Sequence, residues 1–146
     1  MSTSNAHAAW RGRIKEGKGT MKFTGYKGAY TLASSFENAG GTNAEELVGA
    51  AHAGCYSMYL SLLLTQEGLN PESIDTSTQV TIDKYEIGPH ISKIDIHCQV
   101  DCVGLTGSKL DELAAIAKEK CPVSRLYAGG TATIVARGQL IEYGKV

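Results

Sequence analysis

Between Leu47 and Leu64 only His52, Ser57 and Ser61 interrupt an apolar run. Apolar positions then fall all the way round a helix instead of along one stripe, a pattern that predicts burial on every side. Thr42 has the form of the N-cap, with Glu45 three residues on as the partner in a T-x-x-E capping box. The stop is expected near Glu67, because Gly68 suits the left-handed C′ position and Asn70-Pro71 prevents continuation. Such a helix has about 25 residues and is roughly 37 Å long. A bilayer span is the rival reading of this run. Acidic Glu45, Glu46 and Glu67 flank it and no Lys or Arg cluster sets an orientation, so no membrane is expected. One domain of this size cannot wrap so long a helix, and a second subunit is expected to cover it.

Before this helix, "AAWRGRI", "KEGKG", "TMKFT", "GYKG" and "AYTLASSF" read as short strands joined by glycine turns, and "ENAGG" reads as a loop. After Pro71, "TSTQVTIDKYEI" and "HISKIDIHCQVDCVG" alternate with period two around Gly88-Pro89, predicting an antiparallel pair. Ile94, Ile96, Cys98, Val100 and Cys102 share the core face of the second strand, and Lys93, Asp95, His97, Gln99 and Asp101 the other. "SKLDELAAIAKEK" is a helix with Ser108 as N-cap and Asp111 at N3. "CPVSRLY" is a second, short helix with Pro122 at its first position and Cys121 as N-cap. "TATIVARGQLIEY" closes the chain as a strand. The predicted class is α+β, in a single domain spanning 1–146.

The charge is nearly balanced, 14 Lys and Arg against 15 Asp and Glu, and no basic stripe would neutralise a row of phosphates. Nucleic acid is therefore not an expected partner. The opening "MSTSNAHAAWRGR" lacks the apolar core of a secretory signal, which makes a cytoplasmic location the expectation. In that reducing compartment Cys55, Cys98, Cys102 and Cys121 are buried thiols or redox catalysts before they are permanent disulfides.

Two of them invite chemistry. Cys55 lies about four turns into the long helix, beyond reach of the macrodipole, so its reactivity needs a cation from another element. Arg11, Arg13, Arg125 and Arg137 are available, and spacing does not choose among them. Without a cation, Cys55 is a small core hydrophobe. Cys121, before Pro122, meets the unsatisfied N–H groups of a helix start. His52 shares a helical face with Cys55, so a Cys-His pair for acyl transfer is conceivable, though a packed histidine is the plainer reading. Neither a pair of C-x-x-C motifs nor H-x-x-x-H is present, and no metal or organic cofactor is expected.

The segments "GTNAEELVGAAHAGCYSMYLSLLL", "GLNPESIDTSTQVTIDK", "ISKI" and "CPVSRLY" together resemble the OsmC branch of the OsmC/Ohr family of thiol peroxidases, with the likeness running from about Trp10 to the end. The resemblance implies an intertwined homodimer with antiparallel sheets around paired central helices. It makes Cys55 the peroxidatic cysteine and Cys121 the resolving cysteine, and it makes Glu45 the residue that holds an arginine over the reactive thiol. It implies reduction of organic hydroperoxides, and more slowly of hydrogen peroxide, through a Cys55–Cys121 disulfide, in defence against oxidative or osmotic stress. A small dithiol such as a lipoyl group would be the reductant. Apolar Met58, Tyr59 and Leu62 would receive the alkyl chain of the substrate. One position departs from the pattern: the arginine of OsmC-type members falls just before a Phe, where this chain has Ser35 before Phe36. Arg11 or Arg13 is the expected substitute, as in Ohr-type members. If neither serves, a redox-silent dimer that binds hydrophobic ligands is the alternative.

Overall fold

The computed structural model describes residues 1–37, 40–86 and 88–142. Its contacts divide into two compact units, Met1–Leu47 and Val48–Val146.

The first unit is a three-stranded antiparallel meander of β1 (His7–Arg11), β2 (Lys18–Phe23) and β3 (Tyr26–Tyr30). Glycine in β2 is dictated by close approach: a Cβ on Gly19 would lie 2.5 Å from the Tyr30 ring and 2.8 Å from that of Trp10. The "AYTLASSF" segment does not remain a strand. Leu32–Phe36 turns into a one-turn helix, α1, because Thr31 and Ser34 form a reciprocal capping box, Ser34 N–H donating to Thr31 Oγ1 at 3.1 Å and Thr31 N–H to Ser34 Oγ at 2.9 Å. Of the loop expected over "ENAGG", Asn38 and Ala39 lie outside the described residues.

The long helix α2 spans Ala44–Gln66, and the division between the units falls within it. Its start corrects the expected cap. Asn43, not Thr42, caps it, Oδ1 accepting from Glu46 N–H at 2.7 Å, while Thr42 is drawn into an extended bridge with Tyr30. Glu45 is thereby released from the capping box. The stop is as the sequence predicts: Gly68 has φ +79° and Leu69 N–H returns to the Leu64 carbonyl at 3.0 Å.

In the second unit, β4 (Pro71–Tyr85) and β5 (Gly88–Cys102) form the predicted antiparallel hairpin, and β6 (Thr133–Leu140) pairs in parallel with β5. Parallel pairing requires a crossover. α3 (Gly107–Lys120) and α4 (Pro122–Tyr127) supply it. Thr106, two residues before the expected Ser108, caps α3 by accepting from Lys109 N–H at 3.2 Å. The last position of the expected final strand, Tyr143, lies outside the described residues.

The period-two reading of β5 holds, with Ile94, Ile96, Cys98, Val100 and Cys102 all buried. Helices cover that face. α2 runs antiparallel to β4: Gly49 meets Thr78 and Val80, and two turns on Ser57 Oγ donates to Thr76 Oγ1 at 2.6 Å. α3 lies on β6, where Gly138 leaves room for the Leu110 side chain. Tyr56, Leu60 and Leu64 of α2 are completely enclosed, and each leucine stabilises by about 1.5–3 kcal/mol on burial.

Its own chain buries α2 on one face only, in keeping with the expectation that one domain cannot wrap so long a helix. Gly49, His52, Tyr56, Leu60 and Leu64 form the buried stripe, while Met58 and Leu62 stand 72% and 47% exposed on another. α2 is also long and apolar enough to cross a bilayer. Its buried stripe is nevertheless used against the sheet and helices of its own unit.

Candidate active site

Cys55 lies in the middle of α2, half-buried, and its thiol is within hydrogen-bonding reach of Cys121. Cys121 is completely buried at the joint between α3 and α4. It is the N-cap of α4, as the sequence predicts, with Sγ accepting from Ser124 N–H at 3.4 Å. The neighbouring Val123 gives a backbone hydrogen bond to Cys55. Two successive backbone groups in the first turn of α4 thus serve the two sulfurs. Proline at the first position fits, because that residue has no N–H to contribute.

Burial is the main influence on the Cys55 thiol and raises its pKa. The Val123 hydrogen bond lowers it, and the adjacent Cys121 raises it again through hydrogen bonding and charge. No cation is among these influences.

The candidate arginines are dispersed. Arg125 is exposed on α4, and Arg137 is exposed on β6, where it lines a polar cleft with Ser77, Asp95 and His97. Arg11 and Arg13 are exposed in the first unit, which also holds Ser35 on α1 and Glu45. Glu45 is the second residue of α2, and its Oε2 is buried without a hydrogen-bond partner among the described residues. Of the residues expected beside the substrate, Met58 and Leu62 are large hydrophobic side chains exposed on α2, while Tyr59 is half-buried against the core. Apolar space does exist next to α4: a cavity of about 250 Å³ lined by Val48, Ile91, Ile94, Leu126, Tyr127 and neighbouring residues.

Two residues around the thiols were not singled out from the sequence. Ser124 Oγ lies 2.6 Å from Nε2 of His52, whose ring is fully buried and meets Tyr127 edge-on at 5.4 Å. Burial lowers the pKa of His52 and keeps it neutral near pH 7. This is the packed histidine of the plainer reading. Tyr56 Oη donates to the Ala114 carbonyl at 3.1 Å and neighbours Cys98, and burial drives its phenol far above the ordinary range. Cys98 is itself in the core, its thiol also raised by burial. The only advance signal for Ser124 is its place three residues after the predicted N-cap.

Residues 37–135 match the family model described as OsmC-like protein. The chain is 43% identical over 122 residues to Peroxiredoxin OsmC of Escherichia coli (strain K12), covering 82% of this chain and 85% of that protein. The corresponding protein of Shigella flexneri matches equally. Among solved structures, an OsmC-like protein from Mycoplasma pneumoniae superposes with a TM-score of 0.74 at 12% identity, over 97% of this chain and 99% of that one. The organic hydroperoxide resistance protein OhrB of Bacillus subtilis gives 0.66 at 23% identity, over 94% and 98%. With an α+β architecture shared with these structures and a family match across most of its length, the chain belongs to the OsmC-like protein family.

Proposed function

We propose that this protein is a peroxiredoxin-like enzyme that reduces organic hydroperoxides with Cys55 as the attacking thiol and Cys121 as the resolving thiol. The observation that carries the reading is the meeting of these two sulfurs, 66 positions apart in sequence, over the first turn of α4. The 43% identity to Peroxiredoxin OsmC supports the reaction class.

The ionised Cys55 sulfur attacks the distal oxygen of the hydroperoxide. The O–O bond breaks, the alkoxide takes a proton and leaves as alcohol, and Cys55 is left as a sulfenic acid. Cys121 then displaces water from that sulfenic acid to give the disulfide. A dithiol such as a lipoyl group restores both thiols and is itself oxidised to a disulfide. In this reading alkyl hydroperoxides are preferred over hydrogen peroxide, since Cys55 is set among the apolar side chains of α2.

Burial opposes ionisation of Cys55, so the first step needs a guanidinium close to the sulfur. In this reading Glu45, with its buried oxygen lacking a partner, anchors Arg11 or Arg13 for that purpose. The working form is a homodimer, in which a second copy covers the exposed apolar stripe of α2.

The test is intact mass after one equivalent of cumene hydroperoxide. Wild type should lose two hydrogens, Cys121→Ser should gain oxygen, and Cys55→Ser should do neither. An unchanged wild-type mass overturns the reading and leaves a redox-silent hydrophobic-ligand binder, which the raised Cys55 thiol favours.

A further inference from the structure

The joint that carries Cys121 is tied to α2 on both of its arms. On the α4 side, Ser124 Oγ lies 2.6 Å from His52 Nε2. On the α3 side, the Ala114 carbonyl accepts from Tyr56 Oη at 3.1 Å. His52 and Tyr56 are one helical turn apart, and Cys55 lies between them in sequence. His52 and Tyr56 are completely buried, and Ser124 and Ala114 are 2% and 3% exposed. Ser124 has two roles, since its N–H also reaches Cys121 Sγ.

The proposed chemistry makes no use of His52 or Ser124 as acid, base or nucleophile. Burying such a polar pair gains little net stability, because both groups give up water to make one bond. What the pair offers over an apolar contact is direction: the bond between His52 Nε2 and Ser124 Oγ forms in only one arrangement of α4 on α2, while Nδ1 of His52 is buried without a partner among the described residues.

We infer that His52 and Ser124, with Tyr56 as the second tie, are positioning residues that hold the Cys121 sulfur at Cys55 and set the rate of disulfide formation, not of peroxide reduction. The inference rests on the proposed function. In the step concerned, the Cys121 thiol loses its proton and its sulfur attacks the Cys55 sulfenic sulfur. The S–S bond forms, the S–O bond breaks, and the hydroxide combines with the proton as water. No further oxidant is needed. Reactions between held groups are sensitive to displacements on the order of 1 Å. An untethered joint therefore slows the second step while the first, which involves only Cys55 and peroxide, continues.

The experiment follows reduced protein after one equivalent of cumene hydroperoxide by rapid quenching and intact mass. In Ser124→Ala the oxygen-bearing species should form within about twofold of the wild-type rate and convert to disulfide about tenfold more slowly. Ser124→Thr, which keeps a hydroxyl, should restore the conversion. His52→Asn serves as a second variant should Ser124→Ala fold poorly. A glutathione titration of the Cys55–Cys121 disulfide needs no peroxide: a tenfold weaker disulfide in Ser124→Ala raises its potential by about 30 mV. Wild-type conversion in Ser124→Ala, equal slowing of both steps, or an unmoved potential overturns the inference. A wild-type protein unreactive to peroxide overturns the proposed function instead, and the titration then decides alone whether the tether positions Cys121.

Discussion

Gly49 of α2 faces Thr78 of β4 so closely that a Cβ added to it would lie 2.6 Å from Thr78 Oγ1 and 3.1 Å from Val80 Cγ2. Alanine would gain about 1 kcal/mol in helix propensity at this position. The clash outweighs it, since overpacking a fitted contact costs about 1–3 kcal/mol. Gly49→Ala should lower the urea midpoint of unfolding, and Thr78→Ala in the same chain should recover part of the loss. An unchanged midpoint would mean that α2 does not sit so close to β4.

Cys121 raises the Cys55 pKa, after burial and the opposing Val123 hydrogen bond, and Cys121→Ser removes the thiol responsible. The pH at which Cys55 alkylation by iodoacetamide reaches half its maximal rate should fall in this variant. A rise would show that the Cys121 sulfur assists ionisation of Cys55.

The neutral His52 makes stability depend on acidity. Its folded pKa lies below the ordinary 6.5, so as pH falls through that value the unfolded chain takes up a proton that the folded chain resists. Stability is therefore full above about pH 6.5 and declines as the pH drops toward the folded pKa. Melting temperature recorded from pH 7.5 to 5 should fall more steeply in wild type than in His52→Asn. Parallel curves would contradict a neutral, buried imidazole.

Arg11→Ala and Arg13→Ala separate the two candidate activators of Cys55. The one that supplies the cation should lose on the order of 10²-fold in the first-turnover rate with cumene hydroperoxide, the scale of removing one preorganised charge contact. Equal activity in both variants would turn attention to Arg125.

Met58 and Leu62 lie one turn apart on the exposed stripe of α2. If a second copy covers that stripe, Met58→Glu combined with Leu62→Glu should convert a sedimenting dimer to monomer. A wild type that already sediments as a monomer would remove the basis for that assembly.

The parts of this molecule that were legible in the sequence are those set by local periodicity. Alternation along β5 assigned Cys98 and Cys102 to the core, and Gly68 ended α2 where its φ of +79° requires. Cap identity was less legible, because Thr42 and Asn43 are both good caps and the choice depended on Thr42 pairing with Tyr30. An apolar run also does not reveal which side its own chain will cover, and for that reason the exposure of Met58 was not foreseen. The tie between His52 and Ser124 spans 72 residues, beyond any local pattern. Cys55 and Cys121 were paired through family likeness, not through spacing.

The route of the chain from β5 to β6 has a consequence for how the molecule matures. Cys121 rides on the α3–α4 crossover, and a parallel crossover becomes fixed only when its closing strand has docked. During synthesis Cys55 emerges well before that strand, as a thiol with no mate in place. A Cys55 sulfur oxidised in that interval would have no thiol held beside it, because the joint that carries Cys121 is tied to α2 only in the folded chain.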